Sequence, residues 1–375
     1  METTTLSAGL AAISEACSTD ERGPLIAAKC RALLRGYDAR WSASGYVPIS
    51  VEETQTAPLT NPATGRDSRT FRLAGKKDVV CLYAERRYVF DAKTTSDSIV
   101  DPAGPYWRQL VIEGQVSQYM LLEWMNGTKA DGAVWDVCHK PQIVPKKITK
   151  AERTSVVSGG EYYGVRIGDA DRQQLVADER ETLAMYEARL THDCLTQRPE
   201  YYFQRRAVPR LDSELLEYAG EVWDHGQDIL NVRQTGRNPR NSGACMLYGT
   251  PCRFLGICSG HDTADSDRWQ RKTFIHNELP AELGGDGRDL LTNSRIRCFQ
   301  TCRRKHHYEY ELGIERQDEE EREALFFGNV WHAGLAAWWS AQIPQENENG
   351  NSTEGCRPTE GWSQRAGDNA PQLAE

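Results

Sequence analysis

The chain has 375 residues, 39% of them hydrophobic, a lean content that still suffices for one large or two small domains. Its formal net charge of −9 excludes a globally basic nucleic-acid binder, so attraction to a polyanion has to come from local patches. No apolar run is long enough to cross a membrane as a helix and no basic-then-apolar leader is seen, so a soluble, intracellular protein is expected. In such a compartment the 11 cysteines point to ligation for some and burial for the rest, rather than to a disulfide framework.

In chain order, residues 1–20 read as weakly helical and frayed. Residues 25–41 carry apolar groups at helical spacing and predict an amphipathic helix, with Cys17 and Cys30 as structural thiols. Residues 47–54 and 71–73 read as strands around a polar loop at 61–68, with Glu53 a polar strand residue or, alternatively, one that approaches a metal from the first of them. Two apolar-rich strands follow at 77–83 and 87–92, joined by a short polar turn. Residues 107–125 predict one helix, 132–139 a buried strand, 170–196 a long polar helix, 201–208 a short aromatic strand and 211–232 another helix. Strands alternating with helices predict a mixed α/β sheet flanked by helices. Residues 146–153 are locally basic. Residues 259–288 read as a polar connector, and the Asn-, Glu- and Gly-rich stretch 343–375, with Cys356, reads as a disordered tail.

The chemistry concentrates between residues 73 and 119. Asp78 lies on one predicted strand and Asp91 on the next, with Lys93 two residues on and therefore on the same face as Asp91. A charged pair at the end of an apolar run is costly unless it is used. Gln115 and Tyr119 fall one turn apart on the following helix. Two carboxylates and an ammonium are what a metal-dependent phosphodiesterase requires: hard oxygen donors for the cation and a positive charge near the attacking water or the phosphate.

A second constellation is Cys245, Cys252 and Cys258, spaced C-x6-C-x5-C among Gly and Pro. Zinc and four-iron clusters both take four protein donors as a rule. Within the loop only His261 offers a fourth, and then only for zinc. Further on, Arg295, Arg297, Arg303, Arg304, Lys305, His306 and His307 form the most basic stretch of the chain, interleaved with Phe299 and Tyr308. The stretch as a whole suits a helix that contacts a DNA backbone, with Arg303, Arg304 and Lys305 as its DNA-binding residues, though a solvated helix face has the same composition. No G-x-x-x-x-G-K-[ST] phosphate loop occurs.

The run Gly75-x-x-Asp78, then Asp91-x-Lys93, then Gln115-x-x-x-Tyr119 resembles the RecB-type branch of the PD-(D/E)XK nuclease superfamily, and the cysteine triad is similar to that of its iron–sulfur members. The resemblance implies a restriction-endonuclease-like α/β core and Mg²⁺ or Mn²⁺ held by Asp78, Asp91, the Ala92 carbonyl and His332. It implies a catalytic role for Asp78, Asp91, Lys93, Gln115 and Tyr119. It further implies a [4Fe–4S] cluster, or structural Zn²⁺, held by Cys245, Cys252, Cys258 and Cys302, with Cys298 a less favoured donor. DNA is the expected substrate, as single strands or duplex ends, with a recombinase or helicase as a possible partner. The setting would be the cytoplasm of a bacterial or phage-infected cell, in recombination, repair or phage replication.

In the family, the segment bearing the fourth cysteine and the metal-proximal histidine precedes the catalytic strands; here Cys302 and His332 follow them. The division expected is a nuclease core at 1–258, a connector at 259–288, the displaced segment at 289–342 and a tail. A circular permutation would complete one site within the chain, whereas a fusion of two nuclease pieces would leave it incomplete. No motif is duplicated, which favours the permutation. A different class, a catalytically silent DNA-binding or assembly module on the same fold, is the alternative.

Overall fold

The computed structural model describes residues 3–284, 287–317 and 322–344. The N-terminal stretch is firmly helical, contrary to the frayed segment expected from sequence. In α1 (Thr4–Ala16), Thr3 caps the first turn through its hydroxyl, which accepts from the Leu6 amide at 3.1 Å. Leu6, Leu10 and Ile13 share one face and are buried. Helix α2 (Gly23–Trp41) follows much as predicted.

Strands β1 (Val47–Thr60), β2 (Asp67–Tyr83) and β3 (Arg86–Thr95) form an antiparallel meander. The polar loop before β2 shrinks to a tight turn in which the Asn61 side chain accepts from the amides of Ala63 and Thr64, so β1 and β2 are both longer than the sequence suggests. At the β2–β3 hairpin, Ala84 and Glu85 both take positive φ, 48° and 62°, the geometry a two-residue hairpin turn demands.

The single helix expected over 107–125 is two, α3 (Pro105–Val111) and α4 (Gly114–Met125). Glu113 is extended between them, and a side chain at Gly114 would stand 3.1 Å from the Tyr218 ring. Strand β4 (Gly132–His139) is buried along its whole length. Helix α5 (Lys150–Gly159) begins at a capping box between Thr149 and Glu152 and leads to a small hairpin of β5 (Glu161–Tyr162) and β6 (Val165–Arg166). The long helix expected at 170–196 is also two, α6 (Asp169–Ala177) and α7 (Leu183–His192). The break places the Glu181 carboxylate indoors, where it accepts from the Lys146 amide, Arg189 and the Tyr162 hydroxyl.

After α8 (Pro199–Tyr202), β7 (Phe203–Val208), α9 (Asp212–Thr235) and α10 (Leu255–Ser259), the polar segment acquires structure from non-local pairing. Its β8 (Trp269–Arg271) pairs with the distant β10 (Ile314–Arg316), and Trp269 stacks on Phe254. Strand β9 (Asp289–Leu291), α11 (Asn293–Thr301), α12 (Arg303–His306) and α13 (Glu323–Ser340) complete the described chain. Most of the acidic run at 318–323, and all of 345–375 with Cys356, lie outside the described residues.

The central sheet has six strands in the order β1-β2-β3-β4-β7, with β9 also paired to β2. It is mostly antiparallel; β3–β4 and β2–β9 are the parallel pairs. On one edge of β2, β9 pairs Phe71 to Leu73 and β3 pairs Val79 to Tyr83. Among the described residues no strand pairs with the stretch between them, Ala74 to Asp78, on that edge. Gln118 of α4 fills part of the gap by donating to the carbonyls of Ala74 and Leu291. One apolar core joins α1, α2, α7 and α13 to the sheet, and another packs α3 and α4 against β3 and β4.

Candidate active site

The gap in β2 is where the chemistry collects. The ladder between β2 and β3 ends at Val79 and Phe90. Beyond it the Asp78 carboxylate takes over as partner, accepting the Ala92 amide at 2.7 Å. Asp91, one residue back, is 1% exposed. Lys93 Nζ lies 2.5 Å from Asp91 Oδ2 as an ion pair. The ammonium also donates to Gln115 Oε1 at 2.8 Å, and Gln115 Nε2 donates to the Tyr119 hydroxyl at 2.9 Å. The Trp135 ring, 5.4 Å from Lys93 Nζ, walls the ion pair from behind.

The electrostatics follow from this crowding. Burial, then the charge of Asp91, push the Asp78 carboxyl up to about 6, against the opposing pull of His332 and Lys93. Burial, then the two aspartates, raise the Tyr119 phenol well above its usual value, so it stays protonated.

His332 comes from the other end of the chain, on α13, with Nδ1 3.8 Å from Asp78 Oδ2. Its helix is held by a close crossing with α1. A Cβ on Gly9 would stand 2.8 Å from the Gly334 carbonyl oxygen, and one on Gly334 would stand 2.6 Å from Ile13. Asp78, Gln115, Tyr119 and His332 all open onto one cleft of about 560 Å³.

The structure adds residues that sequence reasoning missed. Glu52 lines the cleft beside Asp78. Its neighbour Glu53 is instead held by Ser50, Gln55 and Lys77. A positive φ of 54° at Glu52 breaks the strand's regular alternation, and no local signal in the sequence announces it. Glu278 of the polar segment and Asn293 at the start of α11 line the same cleft.

Among the described residues, no three His, Cys, Asp or Glu side chains converge as a ready-made metal-ligand group. The donor set nonetheless fits a hard cation: a buried carboxylate paired with a single ammonium, and a second carboxyl whose proton affinity burial and then that neighbour raise, are what a divalent ion would relieve.

Ten cysteines are described and all are free. Cys302 is brought to the triad through Asn241, whose amide donates to Cys302 Sγ at 3.5 Å and whose carbonyl accepts from Cys245 Sγ at 3.7 Å. Burial raises the Cys258 thiol, and Cys252, Cys302 and Cys245 add to the rise, so the four thiols share one neighbourhood. Thiols are the donor type that a thiolate-bound cluster or zinc takes, although among the described residues no three of them converge as a ligand group. Cys298 is buried and pushed up to about 12, by burial first and then by Glu309. His261 is engaged with Ser259.

The basic stretch divides in two. Arg295 is 2% exposed, with Leu290, Asp289 and Glu311 as partners. His306 is buried and pushed down to about 3, mainly by burial. Both are structural, contrary to their grouping with the DNA-facing residues. Arg303 pairs with Asp228 and lies over Phe299, Arg304 donates to the Asn238 carbonyl, and Lys305 stands 3.9 Å from Glu309.

Residues 291–369 match the family model of the PD-(D/E)XK nuclease superfamily. No curated protein and no solved structure matches the chain. The matched span holds Cys302 and His332 but neither Asp78 nor the Asp91–Lys93 pair. About a fifth of the chain is thus similar in sequence to the PD-(D/E)XK nuclease superfamily, and the mixed sheet flanked by helices is consistent with that superfamily.

Proposed function

We propose that the chain is a metal-dependent deoxyribonuclease that hydrolyses phosphodiester bonds, acting as an exonuclease in recombination, repair or phage replication. The observation that carries this reading is the fork at the end of the β2–β3 ladder, where the Asp78 carboxylate, crowded by the buried Asp91 paired with Lys93 behind it, meets a cleft also lined by His332. The family match on residues 291–369 supports the reaction class.

In this reading Asp78, Asp91, the Ala92 carbonyl and His332 would hold Mg²⁺ or Mn²⁺, which supplies Lewis-acid polarisation of the phosphoryl oxygen and a more acidic bound water. Lys93, fixed between Asp91 and Gln115, orients the attacking water and offsets the charge that grows on the phosphoryl oxygens. Gln115 sets the direction of the ammonium, and Tyr119, kept protonated by its surroundings, faces the substrate from the cleft. Cys245, Cys252, Cys258 and Cys302 would hold a [4Fe–4S] cluster or Zn²⁺ that ties the cysteine loop to α11 and α12.

The test is cleavage of end-labelled single- and double-stranded DNA with Mg²⁺ or Mn²⁺. The chain should cleave, and Lys93→Ala should lower the rate by about 10²-fold or more, the loss typical when a group that stabilises transition-state charge is removed. Absence of cleavage by the unaltered chain, with DNA still bound, would overturn the nuclease reading in favour of a silent DNA-binding module.

A further inference from the structure

The sequence offers Glu53 as a carboxylate that approaches a metal from β1, but the fold turns it away and sends its neighbour in. Ser50, Gln55 and Lys77 hold Glu53. Glu52 lines the cleft of the candidate active site and also, with Asp78 and His332, a second small cavity. No step of the proposed hydrolysis uses it.

Two observations make this placement costly unless it is used. Across the β1–β2 ladder Val51 pairs with Val79 and Glu53 with Lys77, which leaves Glu52 opposite Asp78. Like charges so placed destabilise a sheet. The Glu52 backbone also takes a φ of 54°, a left-handed conformation that a residue with a Cβ adopts at a cost and glycine adopts freely. Backbone outliers of this kind gather at ligand sites.

The charge of Glu52 is offset by Lys76, two residues before Asp78 on β2, whose ammonium pairs with the Glu52 carboxylate. The two side chains are 35% and 37% exposed, so the pair stands in contact with water, where an ion pair contributes little. Lys77, the next residue, is the opposite case, because its partner Glu123 is fully buried. With its carboxylate on Lys76, Glu52 does not converge with Asp78 and His332 into a group of three donors. Opening this weak pair frees another carboxylate on the wall of the cleft that holds Asp78 and His332.

Resting on the nuclease reading, we infer that Glu52 is a further carboxylate ligand for the divalent ion of this site, and that Lys76 is an intramolecular cation that competes with the ion for it. A hard divalent ion gathers about six oxygen donors, whereas the ammonium is a single hydrated charge on a flexible stem, so Glu52 exchanges the second for the first. The left-handed turn at Glu52 is the device that directs this carboxylate, rather than that of Glu53, into the cleft. Because Glu52 is paired with a cation in either state, a polyanionic strand meets it with its charge offset.

The experiment is titration calorimetry with Mn²⁺ alone, without DNA. It compares the full chain, Glu52→Gln, Glu52→Gly, Lys76→Met, Glu52→Gln/Lys76→Met and, as a reference, Asp78→Asn, with melting temperatures in chelator to report the fold of each. Glu52→Gln should bind Mn²⁺ about tenfold more weakly, the lower end of the loss seen when a residue that supports a metal site is changed. Lys76→Met should bind it about two- to fivefold more tightly, which is what an exposed ion pair is worth. In the double variant Lys76→Met should add nothing to Glu52→Gln, because the competitor has lost what it competes for. Glu52→Gly, in which the left-handed backbone is unstrained, should melt at or above the temperature of the unaltered chain in chelator and still lose Mn²⁺ affinity.

Unchanged Mn²⁺ affinity in Glu52→Gln and Glu52→Gly, with binding still lost in Asp78→Asn, would overturn the ligand assignment while leaving the nuclease reading intact. Weaker binding only in Glu52→Gln, together with a lowered melting temperature in chelator and full binding by Glu52→Gly, would overturn it in favour of a structural role. An equal gain from Lys76→Met in both backgrounds would show a general effect of its charge and overturn the competition. Failure of the unaltered chain itself to bind Mn²⁺ would bring down the metal-dependent nuclease reading on which the inference rests.

Discussion

His332, on the last described helix, stands 3.8 Å from the carboxylate of Asp78 on the second strand. The contact joins the part of the chain that matches a nuclease family to the part that carries the Asp91–Lys93 pair. Segments distant in the chain thereby line one cleft.

The raised proton affinity of Asp78 has a consequence for stability. A carboxyl near 3.8 when unfolded and near 6 when folded binds more protons in the folded state between those values. Stability from this group is therefore fully present below the unfolded value and lost as pH rises through about 6, by roughly 3 kcal/mol in all. In chelator, the melting temperature should fall between pH 5 and 7, and the fall should be smaller in Asp78→Asn. Adding Mg²⁺ or Mn²⁺ should raise the parent's melting temperature at pH 7 and leave that of Asp78→Asn nearly unmoved. Identical pH slopes for the two chains would contradict the crowding argument.

Lys77, next to Asp78, is fully buried and paired with the fully buried Glu123 of α4, which also meets Arg87 at 3.3 Å and the Thr128 hydroxyl at 3.0 Å. Glu123→Leu leaves an ammonium in the core with only the half-exposed Glu53. Urea unfolding should show a loss of about 3–5 kcal/mol, and Lys77→Met/Glu123→Leu should recover most of it. A single variant as stable as the parent would show that the pair does not anchor α4.

The crossing of α1 and α13 is the third point of leverage. Gly9→Ala drives a methyl group to 2.8 Å from the backbone oxygen of Gly334, two residues from His332. Overpacking of this kind should cost about 1–3 kcal/mol in denaturant unfolding. Because α13 must shift to relieve it, Mn²⁺ affinity measured by titration calorimetry should fall as well. Gly159→Ala, at the end of α5 with open space around it, should be neutral or stabilise by up to about 1 kcal/mol.

Much of this was legible in the sequence where the signal is local. The hairpin and β4 announce themselves by apolar runs between turn residues, and Asp78, Asp91, Lys93, Gln115 and Tyr119 form local motifs that the fold brings together. What failed was non-local. Leu6, Leu10 and Ile13 make too short an apolar stripe to predict a firm helix, because the partner that completes it, α13, lies at the far end of the chain. The breaks between α3 and α4 and between α6 and α7 come from a crowded Gly114 and an inward-turned Glu181, which periodicity cannot show. The connector acquires order only through β10.

The central claim is that the two ends of the chain build one hydrolytic site. A double-mutant cycle on kcat/KM for DNA cleavage, with Asp78→Asn, His332→Ala and the pair, tests it most directly. Residues acting in one site should be strongly non-additive, the double variant losing little more than the worse single one. Losses that simply add, or a His332→Ala chain that cleaves at the parent's rate, would contradict it.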